Sequence, residues 1–221
     1  MARYRSLHIR DIDPTPILNG TVQWRPVRRT LDVKAFGINA YSGEKTGDQV
    51  IEEHDELGGG AGSHEELYVV LEGRATFTID GDQLDAPAGT LVFLPDPASK
   101  RVAYAAEPET TVLAIGGPVG RPYAVSPWES SFEAQPYADA GDYDKAYEVA
   151  AAGLADHDEN ASLHYNLACY RALGGRRDEA LQLLAAALER DSGGELREWA
   201  ATDTDFDSLR DDPEFTRLIG G

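Results

Sequence analysis

Seven residues divide this chain. Gly116-Gly117-Pro118-Val119-Gly120-Arg121-Pro122 packs three glycines and two prolines into one stretch. Glycine loses the most backbone entropy on ordering, and proline removes a donor and restrains its predecessor, so regular structure is expected to change here. On its N-terminal side apolar residues recur at period two in short runs. On its C-terminal side alanine-rich segments recur at helical period. The expectation is an α+β chain of several domains. It would have an N-terminal arm at 1–30, a β domain at 31–120, a linker at 121–125 and a helical domain at 126–221.

The first half reads as strands. Leu31 to Tyr41 carries apolar residues in alternation. Glu66 to Leu71 and Arg74 to Ile79 flank Glu72-Gly73 and read as a hairpin. Asp80-Gly81 is a tight-turn dipeptide, because glycine accepts positive φ. Leu91 to Leu94 and Thr110 to Ile115 are further apolar, mostly β-favouring runs. Short strands with turn signals between them predict a sandwich or barrel.

The second half reads as helices. Ser126-Pro127-Trp128-Glu129 has the form of a capping box with proline at the first helical position, and Pro136 interrupts or kinks that helix. Further helices are expected over Tyr143–Ala155, Ala161–Leu173 and Asp178–Arg190, and a last short one after Asp212-Pro213. Positions 34 apart match: Gly141 with Gly175, Asp144 with Asp178, Ala146 with Ala180, and Leu154 with Leu188. Small residues at Ala146, Ala168 and Ala180 let helices approach closely.

Charge limits the function classes. The chain holds 39 acidic and 20 basic residues, a formal net charge of −19. A surface that follows nucleic-acid phosphates or an anionic membrane needs the opposite sign, so neither partner is expected. No apolar run reaches membrane-spanning length, and the N-terminus lacks a signal-peptide core. One cysteine, Cys169, rules out an internal disulfide framework and reads as a buried, inert thiol. A cytoplasmic location is expected. Residues 1–34 hold 7 basic and 3 acidic residues, against 8 basic and 19 acidic in 139–221.

Two resemblances extend this reading. The 34-residue period, with Tyr165-Asn166-Leu167-Ala168 and Gly175-Arg176-Arg177-Asp178-Glu179-Ala180-Leu181, resembles the tetratricopeptide repeat. Such units bind other polypeptides through their inner helices. The resemblance therefore implies a protein or peptide partner, with Tyr165 and Asn166 as candidate contacts. A purely structural role for Asn166 is the competing reading.

The first half resembles the cupin superfamily, a jelly-roll β-barrel. Glu66, six residues and Gly73 match the end of its first motif. Gly81, five residues, then Pro87-Ala88-Gly89 match its second. The resemblance implies a fold, frequent homodimers and, in many members, a metal held by three histidines and a glutamate. Here the three histidine positions fall on Gly60, Gly62 and Lys100, with only Glu66 in place. Glycine has no donor and a lysine opposes a cation, so a metal-free barrel is expected, with no cofactor. The candidate pocket is His54, Glu56, His64, Glu66, Tyr68 and Lys100. Its expected ligand is a small organic anion, with Lys100 supplying the charge. The alternative is a cupin metalloenzyme of the oxygenase or isomerase class, with a divalent transition metal on His54, His64 and Glu66. On the first reading, histidines introduced at 60, 62 and 100 would restore metal binding. A homodimer using residues 1–34 is also expected.

Overall fold

The computed structural model describes residues 5–18, 20–57 and 62–220. Backbone contacts separate two compact units, the first ending at Ser126 and the second starting at Pro127.

The first unit is built on ten strands: β1 (Thr15–Ile17), β2 (Val22–Arg25), β3 (Gly37–Gly43), β4 (Gln49–His54), β5 (His64–Glu72), β6 (Arg74–Ile79), β7 (Asp82–Pro87), β8 (Leu91–Leu94), β9 (Arg101–Ala105) and β10 (Thr110–Pro118). One sheet has the order β1-β2-β3-β10-β5-β8 and the other β4-β9-β6-β7. Four antiparallel pairs nest inside one another: β3 with β10, β4 with β9, β5 with β8, and β6 with β7. A long two-stranded ribbon rolled over on itself gives this pattern, the double-sheet jelly roll. The expected barrel is thus an open sandwich. Among the described residues no hydrogen-bonded ladder joins the two sheets, and β1, β8, β4 and β7 remain as edges.

Alternation decides what each strand buries. Along β5, His64, Glu66, Tyr68 and Val70 face inward, while Glu65, Leu67 and Val69 do not. The inner core contains Val50, Tyr68, Val70, Phe77, Val92, Leu94, Ala103 and Val112. Each large apolar side chain there contributes roughly 1.5–3 kcal/mol of burial.

Several sequence expectations change. Glu72-Gly73 is not a hairpin turn: β5 and β6 lie in different sheets, and the chain crosses between them here. Gly73 has φ +69°, and an added Cβ would lie 2.5 Å from Thr110 Oγ1. Asp80-Gly81 does close a hairpin, both residues at positive φ, between β6 and β7. Leu31 ends a short helix, α1 (Val27–Leu31), so β3 begins only at Gly37. The glycine-rich stretch carries β10 as far as Pro118. The described part of the expected 1–30 arm supplies β1, β2 and most of α1. Ile12 and Val27, with Ile9 and Leu31, cover Ala40, Ile38 and Leu113 on the outer face of the first sheet.

The second unit is helical: α2 (Trp128–Asp139), α3 (Tyr143–Ala151), α4 (Leu154–His157), α5 (Ala161–Leu173), α6 (Arg177–Arg190), α7 (Glu195–Thr202) and α8 (Pro213–Gly220). The capping box does not form: Pro127 is the N-cap with no side-chain cap, and α2 continues through Pro136. The helix expected over Tyr143–Ala155 breaks into α3 and α4, and α7 was not anticipated.

The 34-residue period is visible bond by bond. Gly141 N donates to Ala138 O at 2.9 Å and Asp142 N to Tyr137 O at 2.9 Å. Thirty-four residues on, Gly175 N donates to Ala172 O at 3.0 Å and Arg176 N to Arg171 O at 2.8 Å. Both are Schellman closures with glycine in the left-handed conformation, at φ +76° and +72°. Ala146, Ala168 and Ala180 are fully buried, as close helix packing requires. Cys169 is buried, and burial followed by Asp203 and Asp205 pushes its thiol pKa up, away from reactivity.

Replacing Gly73 tests the sheet-crossing turn. Gly73→Ala adds a strained φ and a steric overlap, so the first unit should lose about 2–3 kcal/mol in urea unfolding. A loss within about 0.5 kcal/mol, the range of an ordinary surface change, would show that the turn relaxes freely.

Candidate functional site

Six polar side chains collect at one end of the sandwich. Two antiparallel strands of the second sheet bring His54, at the end of β4, opposite Arg101, at the start of β9. From the first sheet, β5 contributes Glu66 and Tyr68, with His64 one alternation earlier. Glu56 lies just beyond β4 and is pinned by its backbone: its N–H donates to Pro97 O at 2.8 Å, and its carbonyl accepts from Ser63 at 2.9 Å. Gly116 on β10 pairs with Glu66, and a Cβ added there would lie 3.3 Å from Glu66 Cγ.

Glu66 is the hub. Its Oε2 accepts a short hydrogen bond from Tyr68 Oη. The same oxygen lies 3.3 Å from Arg101 Nη2 and 3.8 Å from His54 Nε2. His54 Nε2 is 3.6 Å from Glu56 Oε1, and His64 Nδ1 is 3.5 Å from Glu56 Oε2. His54 Nδ1 is 2.8 Å from the carbonyl of Glu52. The Arg101 side chain has no exposure to solvent. Its Nε and Nη2, with Glu52 Oε2 and Glu56 Oε2, are buried without a hydrogen-bond partner.

The charges interact strongly. Burial pushes the His54 imidazole down, but hydrogen bonds that it donates to Glu56, Glu66 and the Glu52 carbonyl outweigh this and raise its pKa to about 10. Burial raises Glu66, yet His54, Tyr68 and Arg101 together hold it below the usual range. Glu52 is raised, first by burial, with the Glu66 and Glu56 charges adding. Tyr68 is held protonated by burial and by Glu66, consistent with its role as donor.

Four candidates from the sequence, His54, Glu56, Glu66 and Tyr68, meet here, with His64 beside Glu56. Lys100 does not. Its side chain is exposed, and its backbone N–H donates to Asp80 Oδ1 at 2.8 Å. The inward cation is Arg101. A one-residue error in register turns every side chain to the other face. The correct phase was readable from Arg101, Ala103 and Ala105, which share a face opposite Tyr104. Glu52 was also missed, although it alternates with His54.

The metal set also changes. His54, Glu56 and Glu66 place ligand atoms within 4.8 Å of one another, so Glu56 replaces His64. Bonds of about 2.0–2.2 Å around a tetrahedral ion hold ligand atoms roughly 3.3–3.6 Å apart, close to the distances here. The neighbouring guanidinium opposes that fit: a dication on Glu66 would face the buried Arg101 charge. The group therefore fits an ion only if Arg101 gives way. Of the restored-histidine positions, Gly60 lies outside the described residues. Gly62 has φ +89°, and a Cβ there would run into the His64 ring.

The partner residues are engaged internally. Tyr165 is buried and donates to Asp203 Oδ2 at 2.8 Å, and Asn166 Nδ2 donates to Ser131 Oγ at 3.0 Å. Among the described residues no helix is long and apolar enough to cross a membrane.

No family model and no curated protein matches the chain. Solved structures do. A cupin protein from Bacteroides fragilis is 19% identical, covering 57% of this chain and 92% of its own, with a TM-score of 0.41. A predicted oxalate decarboxylase from Thermotoga maritima is 18% identical over 51% of this chain and 97% of its own, with a TM-score of 0.40. A sugar phosphate isomerase from a cupin superfamily, from Silicibacter pomeroyi, is 14% identical over 51% and 74%, with a TM-score of 0.41.

The His54 environment has a measurable consequence. Its folded pKa, about 10, exceeds the ordinary 6.5. The stability it contributes is fully present below pH 6.5 and is lost as the pH rises toward 10. Nitrogen-15 NMR of the imidazole should show both ring nitrogens protonated at pH 8. A titration centred near 6.5 would contradict the described geometry.

Proposed function

We propose that the first unit is a cupin-type sandwich that binds a small polar molecule at the His54–Glu66 end without a resident transition metal. The observation that carries this reading is Arg101. Its buried guanidinium stands 3.3 Å from Glu66 and provides the positive charge that an ion would otherwise bring. The anionic ligand expected from Lys100 loses its support, because three carboxylates, Glu52, Glu56 and Glu66, surround the end. That balance favours a ligand that donates hydrogen bonds, through hydroxyl or amine groups, to Glu56 and Glu66. No chemical step is assigned, and the non-catalytic reading is kept.

The second unit is read as a tetratricopeptide-like module for a protein partner. Its support is the repeated glycine closure 34 residues apart. Because Tyr165 and Asn166 are engaged internally, the partner surface is assigned to other residues. The homodimer is also retained as a proposal, on a different surface. The N-terminal segment covers Ile38, Ala40 and Leu113 of the first sheet, whereas Leu91 and Phe93 on edge strand β8 are 65% and 55% exposed.

Two measurements test these readings. Arg101→Met removes the resident charge, so the variant should bind cobalt(II) at least tenfold tighter than the unaltered chain, and Arg101→Lys should not. Equal cobalt binding by all three would remove the argument from Arg101. Leu91→Asp with Phe93→Asp should convert a dimer to a monomer in light scattering. A dimer unchanged by both substitutions would contradict the β8 surface.

A further inference from the structure

A cavity lies at the other end of the β4–β9 pair. Gln49 and Tyr104 are register partners there, five residues along β4 from His54, or roughly 16 Å at strand rise. The cavity measures about 500 Å³ and is lined by Gln23, Ser42, Glu44, Lys45, Gln49 and Tyr104 among others. Pockets for small organic ligands span about 300–1,000 Å³.

Its walls are fixed before any ligand arrives. Gln23 and Ser42 are cross-strand partners on β2 and β3. Ser42 Oγ accepts from Arg25 Nε at 2.9 Å. The turn between β3 and β4 is tied to β9: Gly47 N donates to Ala105 O at 2.8 Å, and Ala105 N donates to Asp48 O at 2.8 Å. Lys45 N donates to Asp48 Oδ2 at 2.9 Å. A site that needs little ordering loses less affinity on binding.

We propose that this cavity binds a neutral, polyhydroxylated ligand, with a sugar ring stacked on Tyr104. Three features select that chemistry. Tyr104 is 45% exposed, although it sits on a strand whose neighbours Ala103 and Ala105 are buried. An open aromatic face carries negative charge density, which suits the C–H face of a sugar ring. The two carboxamides, Gln23 and Gln49, each offer donors and an acceptor to vicinal hydroxyls. The rim carries two carboxylates, Glu44 and Asp48, against one ammonium, Lys45, which disfavours an anion and leaves acceptors for sugar hydroxyls. This site is independent of the reading given to the His54–Glu66 end.

The test uses the full chain with three probes, D-glucose, N-acetylglucosamine and maltose, at millimolar concentrations. Amide shifts mapped by two-dimensional NMR should move for Gln23, Lys45, Gln49 and Tyr104 with at least one probe, and not for Glu66 or Tyr68. Saturation transfer to the sugar should fall at least fivefold in Tyr104→Ala and in Gln49→Ala, and persist in Tyr104→Phe, which keeps the ring. The proposal is overturned if none of the probes shifts those amides. It is also overturned if the shifts fall on Glu66 and Tyr68 instead, or if transfer survives Tyr104→Ala.

Discussion

A guanidinium without access to water has to be neutralised where it sits. In this sandwich Arg101 is held against Glu66, and the surrounding groups follow from that pairing. Glu66 takes the Tyr68 hydroxyl on the same oxygen. His54 sits across from it on the neighbouring sheet and carries a proton because two carboxylates face it. Removing either partner of a buried ion pair strands a charge, which typically costs several kcal/mol. The polar end is therefore one electrostatic unit, and no member can be exchanged without changing the protonation of the rest.

The fold explains why such a unit can exist. Rolling one ribbon into two sheets puts β5 of the first sheet opposite β4 and β9 of the second. Inward positions on β5 change along the strand from His64, Glu66 and Tyr68 to Val70. The same strand thus lines a polar end and the apolar core. Phe77 packs against Tyr68, with ring centroids 5.6 Å apart, where the two regions meet. At the rim, Arg121 Nη2 donates to Gly62 O at 2.5 Å, and the Tyr123 ring lies 5.7 Å from that of His64. The chain leaving β10 thereby returns across the end that β5 opens.

Much of this was legible in the sequence, and the errors have physical causes. Helix α5 and strand β8 follow their patterns because each is long or uniform enough for one period to dominate. Gly81 marked its turn correctly, since it adopts positive φ. Gly73 misled because the same conformation serves a crossing between sheets as well as a hairpin. Counting along the motif spacing leads to Lys100, whereas alternation from Ala103 and Ala105 places Arg101 inward. The interior proline of α2 and the loss of its cap depend on tertiary packing, which no local pattern encodes. Glu52 was invisible because a glutamate on a short strand reads equally as a solvated face.

The central claim is that Arg101 takes the charge position of a metal. Metal content of the unaltered protein, purified without chelators and measured by inductively coupled plasma mass spectrometry, tests it most directly. The account predicts transition metal far below one ion per chain. One ion per chain, lost together with His54→Ala or Glu66→Ala, would contradict it and establish a metal centre on His54, Glu56 and Glu66.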